Sequence, residues 1–179
     1  MKLSEAQADV RRAYVGGGPG AIVSGFVWLA AGLVEAHSGT RVAFAVLFFA
    51  GMLIFPLSKL AVTTLFRRAG EAAGNRLPVV ALESTVAMIG GLFAAWLLLE
   101  SRPDLALPVA AIAVGTHYAA FNTAYGDRTY WLLAALLTGA GTLAVFHPLP
   151  LMPLPFWFAG IEIGFGILLT LRATRAASA

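Results

Sequence analysis

Between Val114 and Tyr125 the chain reads VGTHYAAFNTAY, so a histidine, a tyrosine and an asparagine stand inside an otherwise apolar run. His117 can change charge near neutral pH. Tyr118 and Asn122, spaced i and i+4, share one face of a helix. Glu83, Glu162 and Lys59 occupy similarly apolar surroundings. In hydrocarbon such groups cost free energy unless they are paired, so by default they mark a site.

Three chemistries fit this set. The first is a cavity that binds or conducts a small solute, an ion or a proton, with His117, Glu83, Glu162, Asn122, Tyr118 and Lys59 as its lining. The second is structural or accessory: Glu83 pairs with Lys59 and His117 with Glu162, and each pair fixes helix register. The third is an intramembrane metal-dependent enzyme, since one histidine and two carboxylates can hold zinc or iron. No HExxH or other paired-ligand spacing supports the third. With no cysteine there is no thiolate nucleophile or thiolate ligand. Ser24, Ser58 and Ser84 lie in no nucleophile motif. The reading is therefore a binding or translocating membrane protein with no cofactor, and the other two are its alternatives.

The elements that must position these groups follow from composition. Hydrophobic residues make up 59% of the 179 and charged residues 12%, half the charge of a typical soluble domain. With apolar runs of bilayer length, that means an all-α integral membrane protein. The partners expected are the lipid bilayer and a small-molecule or ion ligand, with homo-oligomer formation open. Nucleic acid is not expected, because the basic residues behind the net charge of +3 flank apolar segments.

Residues 1–15 read as an interfacial segment. Ser4 and Gln7 have capping-box spacing, and Leu3, Val10 and Tyr14 can share a face. The run Gly16-Gly-Gly-Pro-Gly20 lacks the lysine and Ser/Thr of a P-loop and reads as a hinge. Residues 16–172 form the membrane domain, with spans at about 20–36, 42–66, 78–99, 105–125, 129–146 and 153–171, and 173–179 form a tail. A kink is expected near Pro56 in the second span. Of the 12 Lys and Arg, only Arg41 and Arg102 fall on one side of a six-span arrangement. The positive-inside rule then puts both termini in the cytoplasm. His117 lies about 12 Å and Glu83 about 8 Å from that inner end, at the helical rise. Tyr125, Tyr130 and Trp131 read as an inner aromatic belt, Phe156 and Trp157 as an outer one, and Trp28 as a cavity or core residue.

The spans also pair as three hairpins. Their second helices carry Phe49-Ala-Gly-Met-Leu53, Ala113-Val-Gly-Thr-His117 and Phe158-Ala-Gly-Ile-Glu162, and their first helices carry Gly32, Gly91 and Gly141 at matching places. Small-residue stripes of this kind serve close helix packing. At Gly115-x-His117-Tyr118, with Phe121, Tyr125 and Tyr130-Trp131, the chain resembles a group of small uncharacterised bacterial six-span membrane proteins, although Ala119-Ala120 replace the proline of their motif. The resemblance implies a six-span bundle in the bacterial cytoplasmic membrane and His117 as a site, with no activity attached. The tripled hairpin is similar in architecture to the small acid-resistance membrane proteins of enteric bacteria.

Overall fold

The computed structural model describes residues 1–176, and every regular element among them is helical. The order is α1 (Leu3–Ala13), a 3-10 turn (Val15–Gly17), α2 (Gly18–Ser38), α3 (Thr40–Gly51), α4 (Ile54–Thr64), α5 (Leu77–Ser101), α6 (Pro103–Tyr125), α7 (Thr129–Phe146) and α8 (Leu154–Arg175). The expected tail is shortened because α8 continues to Arg175, and residues 177–179 lie outside the described part. Among the described residues five helices are long and apolar enough to cross a membrane, and the α3–α4 pair makes a sixth if it is counted as one bent span.

That pair bends by 43°. The break falls at Met52–Leu53, one turn before Pro56 and not at it. Proline has no amide to donate to the carbonyl four residues back, so the ladder fails at Met52. Both α5 and α6 carry a proline in the first turn, where the missing donor costs nothing.

Close backbone approach organises the bundle. α2 packs most extensively on α8, and α6 lies between α5 and α7. A Cβ at Gly166 would stand 2.8 Å from Gly18 O, and one at Gly25 would stand 3.0 Å from Ala159 O. At the α6–α7 contact a Cβ on Gly141 would lie 2.9 Å from Ile112 N. These glycines let the helices meet backbone to backbone. α5 is the peripheral member: only 6% of its apolar window is buried, against 50% for Val15–Ser38.

The hairpin motifs do not meet matching surroundings. Gly32, Gly91 and Gly141 all face close neighbours, but Gly51 and Gly160 face open space where Gly115 abuts Thr138. Leu53 is exposed at the α3–α4 break, while Glu162 is fully buried. Gly160 and Gly164 therefore pack against nothing within the described chain.

α1 lies across one end of the bundle with Ala6, Val10 and Ala13 inward. Its first turn is closed by Lys2 N donating to Glu5 Oε2 at 2.9 Å. The Ser4–Gln7 box is not used, because the helix starts at Leu3 and Ser4 is already inside it. Gln7 reaches instead across to Thr123 O at 3.0 Å, and Arg11 donates to Tyr125 O. Asp9 accepts from Asn75 Nδ2 (2.9 Å), Ala72 N (2.8 Å) and Arg12 (2.7 Å). Arg12 also donates to Gly70 O at 2.9 Å. The chain then turns through Val15, Gly16 and Gly17, all at positive φ (51°, 63° and 78°). Glycine takes that region freely, whereas a β-branched valine is held there at a cost.

Two outcomes follow. Gly166→Ala should lower thermal stability in detergent by about 1–3 kcal/mol, the usual result of overpacking, while Gly160→Ala should leave it unchanged or slightly raised. The Asn75 and Arg12 hydrogen bonds hold the Asp9 carboxyl at about 2, below its ordinary 3.8. Its stabilising contribution is therefore complete above about pH 4 and is lost as pH falls toward about 2. Amide hydrogen exchange should show α1 loosening in that window, and Asp9→Ala should show the same loosening at neutral pH.

Candidate functional site

Glu162 lies on the inward stripe of α8, in register with Pro155, Phe158, Ala159, Gly166 and Leu169, which are all buried. That i, i+3, i+4 spacing points the carboxyl at α2. The opposing stripe of α2 runs through Gly18, Ala21, Ser24, Gly25 and Trp28. On α6, Tyr118 follows Ala111, Val114 and Gly115 on the buried side. Glu162 is 0% exposed, and both carboxyl oxygens lack a hydrogen-bond partner among the described residues. The polar groups that reach it are the Ser24 and Tyr118 hydroxyls, and neither closes a full hydrogen bond. Trp28 and Phe158, with ring centroids 4.5 Å apart, form an apolar wall beside it.

A charge in such a place is costly unless it is met by a counter-charge, and among the described residues no ion pair involves Glu162. The site is complete when the carboxyl carries a proton or when a cation comes to it. One carboxyl and two hydroxyls are fewer oxygen donors than the roughly six a hard metal cation takes. No group of three His, Asp or Glu side chains converges among the described residues.

His117 is the next residue before Tyr118, and one helical step of about 100° turns it from the core toward α5. Its Nδ1 is 2.9 Å from Ser84 Oγ, and its ring lies 4.6 Å from Phe121. Ser84 also donates to Ala81 O at 2.9 Å. A single hydroxyl proton serves one acceptor at a time, so when it goes to Ala81 the histidine donates from Nδ1. His117, Ser84 and Thr116 border a groove of about 480 Å³ between α5 and α6, walled by Ala87, Met88 and Gly91.

The remaining expected residues are dispersed. Glu83 is exposed on α5, because its neighbour Ser84 takes the face turned to α6. The expectation that Glu83 faces the interior thus does not hold within this chain. Lys59 places Nζ 4.9 Å over the Tyr14 ring and makes no ion pair with Glu83. With its amide oriented so that the oxygen faces Trp131, Asn122 closes the α6–α7 turn, accepting from Trp131 Nε1 at 3.1 Å and donating to Asp127 O at 3.3 Å. Neither the Glu83–Lys59 pair nor the His117–Glu162 pair forms. A centre made of His117 and both glutamates, which the metal reading needed, is not assembled.

Sequence reading missed Ser24 and Ser84 as the polar neighbours of Glu162 and His117. The available signal was their register: each shares a stripe with small residues that touch another helix. It also misplaced Tyr125 and Tyr130. They are 7% and 1% exposed, core residues and not an interfacial belt. Only Trp131 of that trio is outward, at 57%.

A model of one protein family matches residues 3–172, from the start of α1 to the last turns of α8. The chain belongs to that family, the family of unknown function DUF7010. No curated protein and no solved structure matches it. The matched region includes α1 and its connections, so the cap and the bundle belong to one family unit.

A carboxyl without an ionic partner makes a distinct stability prediction. Glu162→Met should leave thermal stability unchanged or raise it, since replacing an unpaired buried polar group with an apolar one of similar volume relieves desolvation. A fixed ion-pair member would lose about 3–5 kcal/mol on the same truncation. Thermal unfolding in detergent measures the difference.

Proposed function

We propose that this DUF7010 protein is an integral membrane protein that binds and moves protons through Glu162, with or without a coupled small solute. The observation that carries the reading is a fully buried carboxyl with both oxygens unpaired, in a helix apolar enough to span a bilayer. Intramembrane ionisable groups are expensive, and the usual return on that cost is a relay or a binding step. The glycine contacts of α2 with α8 supply surfaces that can repack between two arrangements. The His117–Ser84 groove between α5 and α6 is the place for a polar solute.

The proposed topology has the bent α3–α4 pair as one span, six spans in all, and both termini in the cytoplasm of a bacterial inner membrane. Cysteines introduced at Ser38 and Ser101 should label from the periplasmic side, and one at Ala73 should not. Labelling of position 73 from outside reverses the arrangement.

The functional test uses the protein in liposomes with an interior pH dye and an imposed pH gradient. Proton flux above empty liposomes should disappear in Glu162→Gln while the protein keeps its melting temperature. His117→Ala should reduce solute-coupled flux but leave protonation of Glu162 intact. Flux that persists in Glu162→Gln removes Glu162 from the path and sinks this function.

A further inference from the structure

The connection between α4 and α5, residues 65–76, carries three arginines that the fold does not neutralise. Among the described residues the side chains of Arg67, Arg68 and Arg76 make no ion pair and no hydrogen bond. The two carboxylates that touch this connection are already engaged. Asp9 accepts from Arg12, Asn75 and Ala72 N, and Glu71 accepts from the Tyr14 hydroxyl at 2.9 Å. The connection is also held in place. Arg12 donates to Ala69 O at 3.2 Å and to Gly70 O at 2.9 Å, and Asn75 Nδ2 donates to Ala6 O at 3.0 Å. The unpaired arginines therefore stand on a fixed loop.

Arg67 has φ 51°, in the left-handed region that a residue with a Cβ enters at a cost. Across that turn Arg67 is exposed and Arg68 is partly buried. The Arg68 Nε is fully covered and has no hydrogen-bond partner, while its two terminal nitrogens are not buried. A guanidinium is thus partly desolvated, fixed by its own stem, and left without a counter-charge. Such a cation is costly until an anion meets its free nitrogens. The surface beside it is apolar. Leu57, Leu60 and Leu65 are exposed along and just beyond α4, and Val79 and Leu82 are exposed on the first turns of α5. α4 packs on α2 and α5 packs on α6, so each of the joined helices has its main neighbour elsewhere.

We propose that Arg67 and Arg68, assisted by Arg76, bind the phosphate of an anionic phospholipid headgroup at the α4–α5 connection, with its acyl chains along the exposed apolar faces of α4 and α5. The inference rests on the reading of the bundle as membrane-spanning and is independent of Glu162 as a proton site. The terminal nitrogens of a guanidinium donate in parallel to two phosphate oxygens, a fork geometry that a lysine lacks. A zwitterionic headgroup brings its own cation to that place and weakens the attraction, whereas an anionic one leaves the phosphate charge to the arginines. A free phosphate would use the guanidinium groups but none of the exposed leucine surface next to them. A lipid uses both, which is why the headgroup is the occupant the surface fits.

The test places the full chain in nanodiscs of phosphatidylcholine with a small fraction of phosphatidylglycerol and counts the lipids retained on release in a native mass spectrometer. Phosphatidylglycerol should be retained in excess of its share of the bilayer. The double variant Arg67→Gln, Arg68→Gln should lower that excess by roughly tenfold or more, at about fivefold for each basic group near an anionic surface. Its melting temperature in pure phosphatidylcholine should hold. Arg67→Gln alone removes an exposed side chain and should lower the excess by about fivefold, so it decides the matter if the double variant does not fold. Arg128→Gln, exposed at the α6–α7 turn, should leave retention unchanged. An equal fall in Arg128→Gln means diffuse attraction by all the basic groups and overturns the site, as does unchanged retention in Arg67→Gln. Millimolar inorganic phosphate should not displace the lipid, and displacement by it assigns the arginines to a free anion and overturns the headgroup. A chain that does not insert into nanodiscs removes the membrane reading and this site together. Selective retention without proton flux in liposomes removes Glu162 alone.

Discussion

The contact between α2 and α8 is the constraint on which the rest of this bundle depends. Gly18, Gly25 and Gly166 bring two backbones together where any side chain would collide with a carbonyl of the other helix. In water such a contact would be assisted by hydrophobic burial. In lipid that drive is absent between helices, and close van der Waals packing takes its place. The same closeness fixes what the helices carry on their facing stripes: Ser24 and Trp28 on one, Phe158 and Glu162 on the other. A carboxyl thereby ends in a fully buried, apolar space with no ionic partner among the described residues. The packing that makes the fold also makes the site.

The bundle's two polar centres are insulated from each other by one helix. Tyr118 and His117 are neighbours in sequence, yet α6 turns them to opposite companions, Glu162 and Ser84. Both are carried on α6, which packs against α5 and α7 on its two sides. The cap joins this scheme by the glycine turn. Tyr130 holds Gly16 O, and the same turn begins α2 and with it the stripe that carries Ser24.

α5 stands apart from this economy of close contacts. Most of its surface, including Glu83, is turned away from the chain's own core. Its attachment runs along α6, with Gly91 against Ala113, the His117–Ser84 bond and the buried Leu92, Ala95 and Leu99, and reaches α3 through the Phe48–Trp96 cluster.

The helical architecture, the apolar helices of bilayer length, the glycine break before α2 and the proline-bearing helix starts were all legible in the residues, because each depends on local chemistry. Apolar run length, the absent amide of proline and the freedom of glycine act over one or two turns. His117, Tyr118 and Glu162 were legible as anomalies for the same reason, since a polar group in an apolar run is visible without a partner. Which of them meet was decided only by tertiary structure. Composition set Glu83 and Glu162 in equally apolar surroundings, but rotation of α5 turns one outward while the glycine contact of α2 buries the other. Tyr125 and Tyr130 had the spacing of an interfacial belt and became core residues because α1 folds over the bundle end and covers them. Helix rotation and docking are set by contacts between segments far apart in the chain, and no local pattern encodes them.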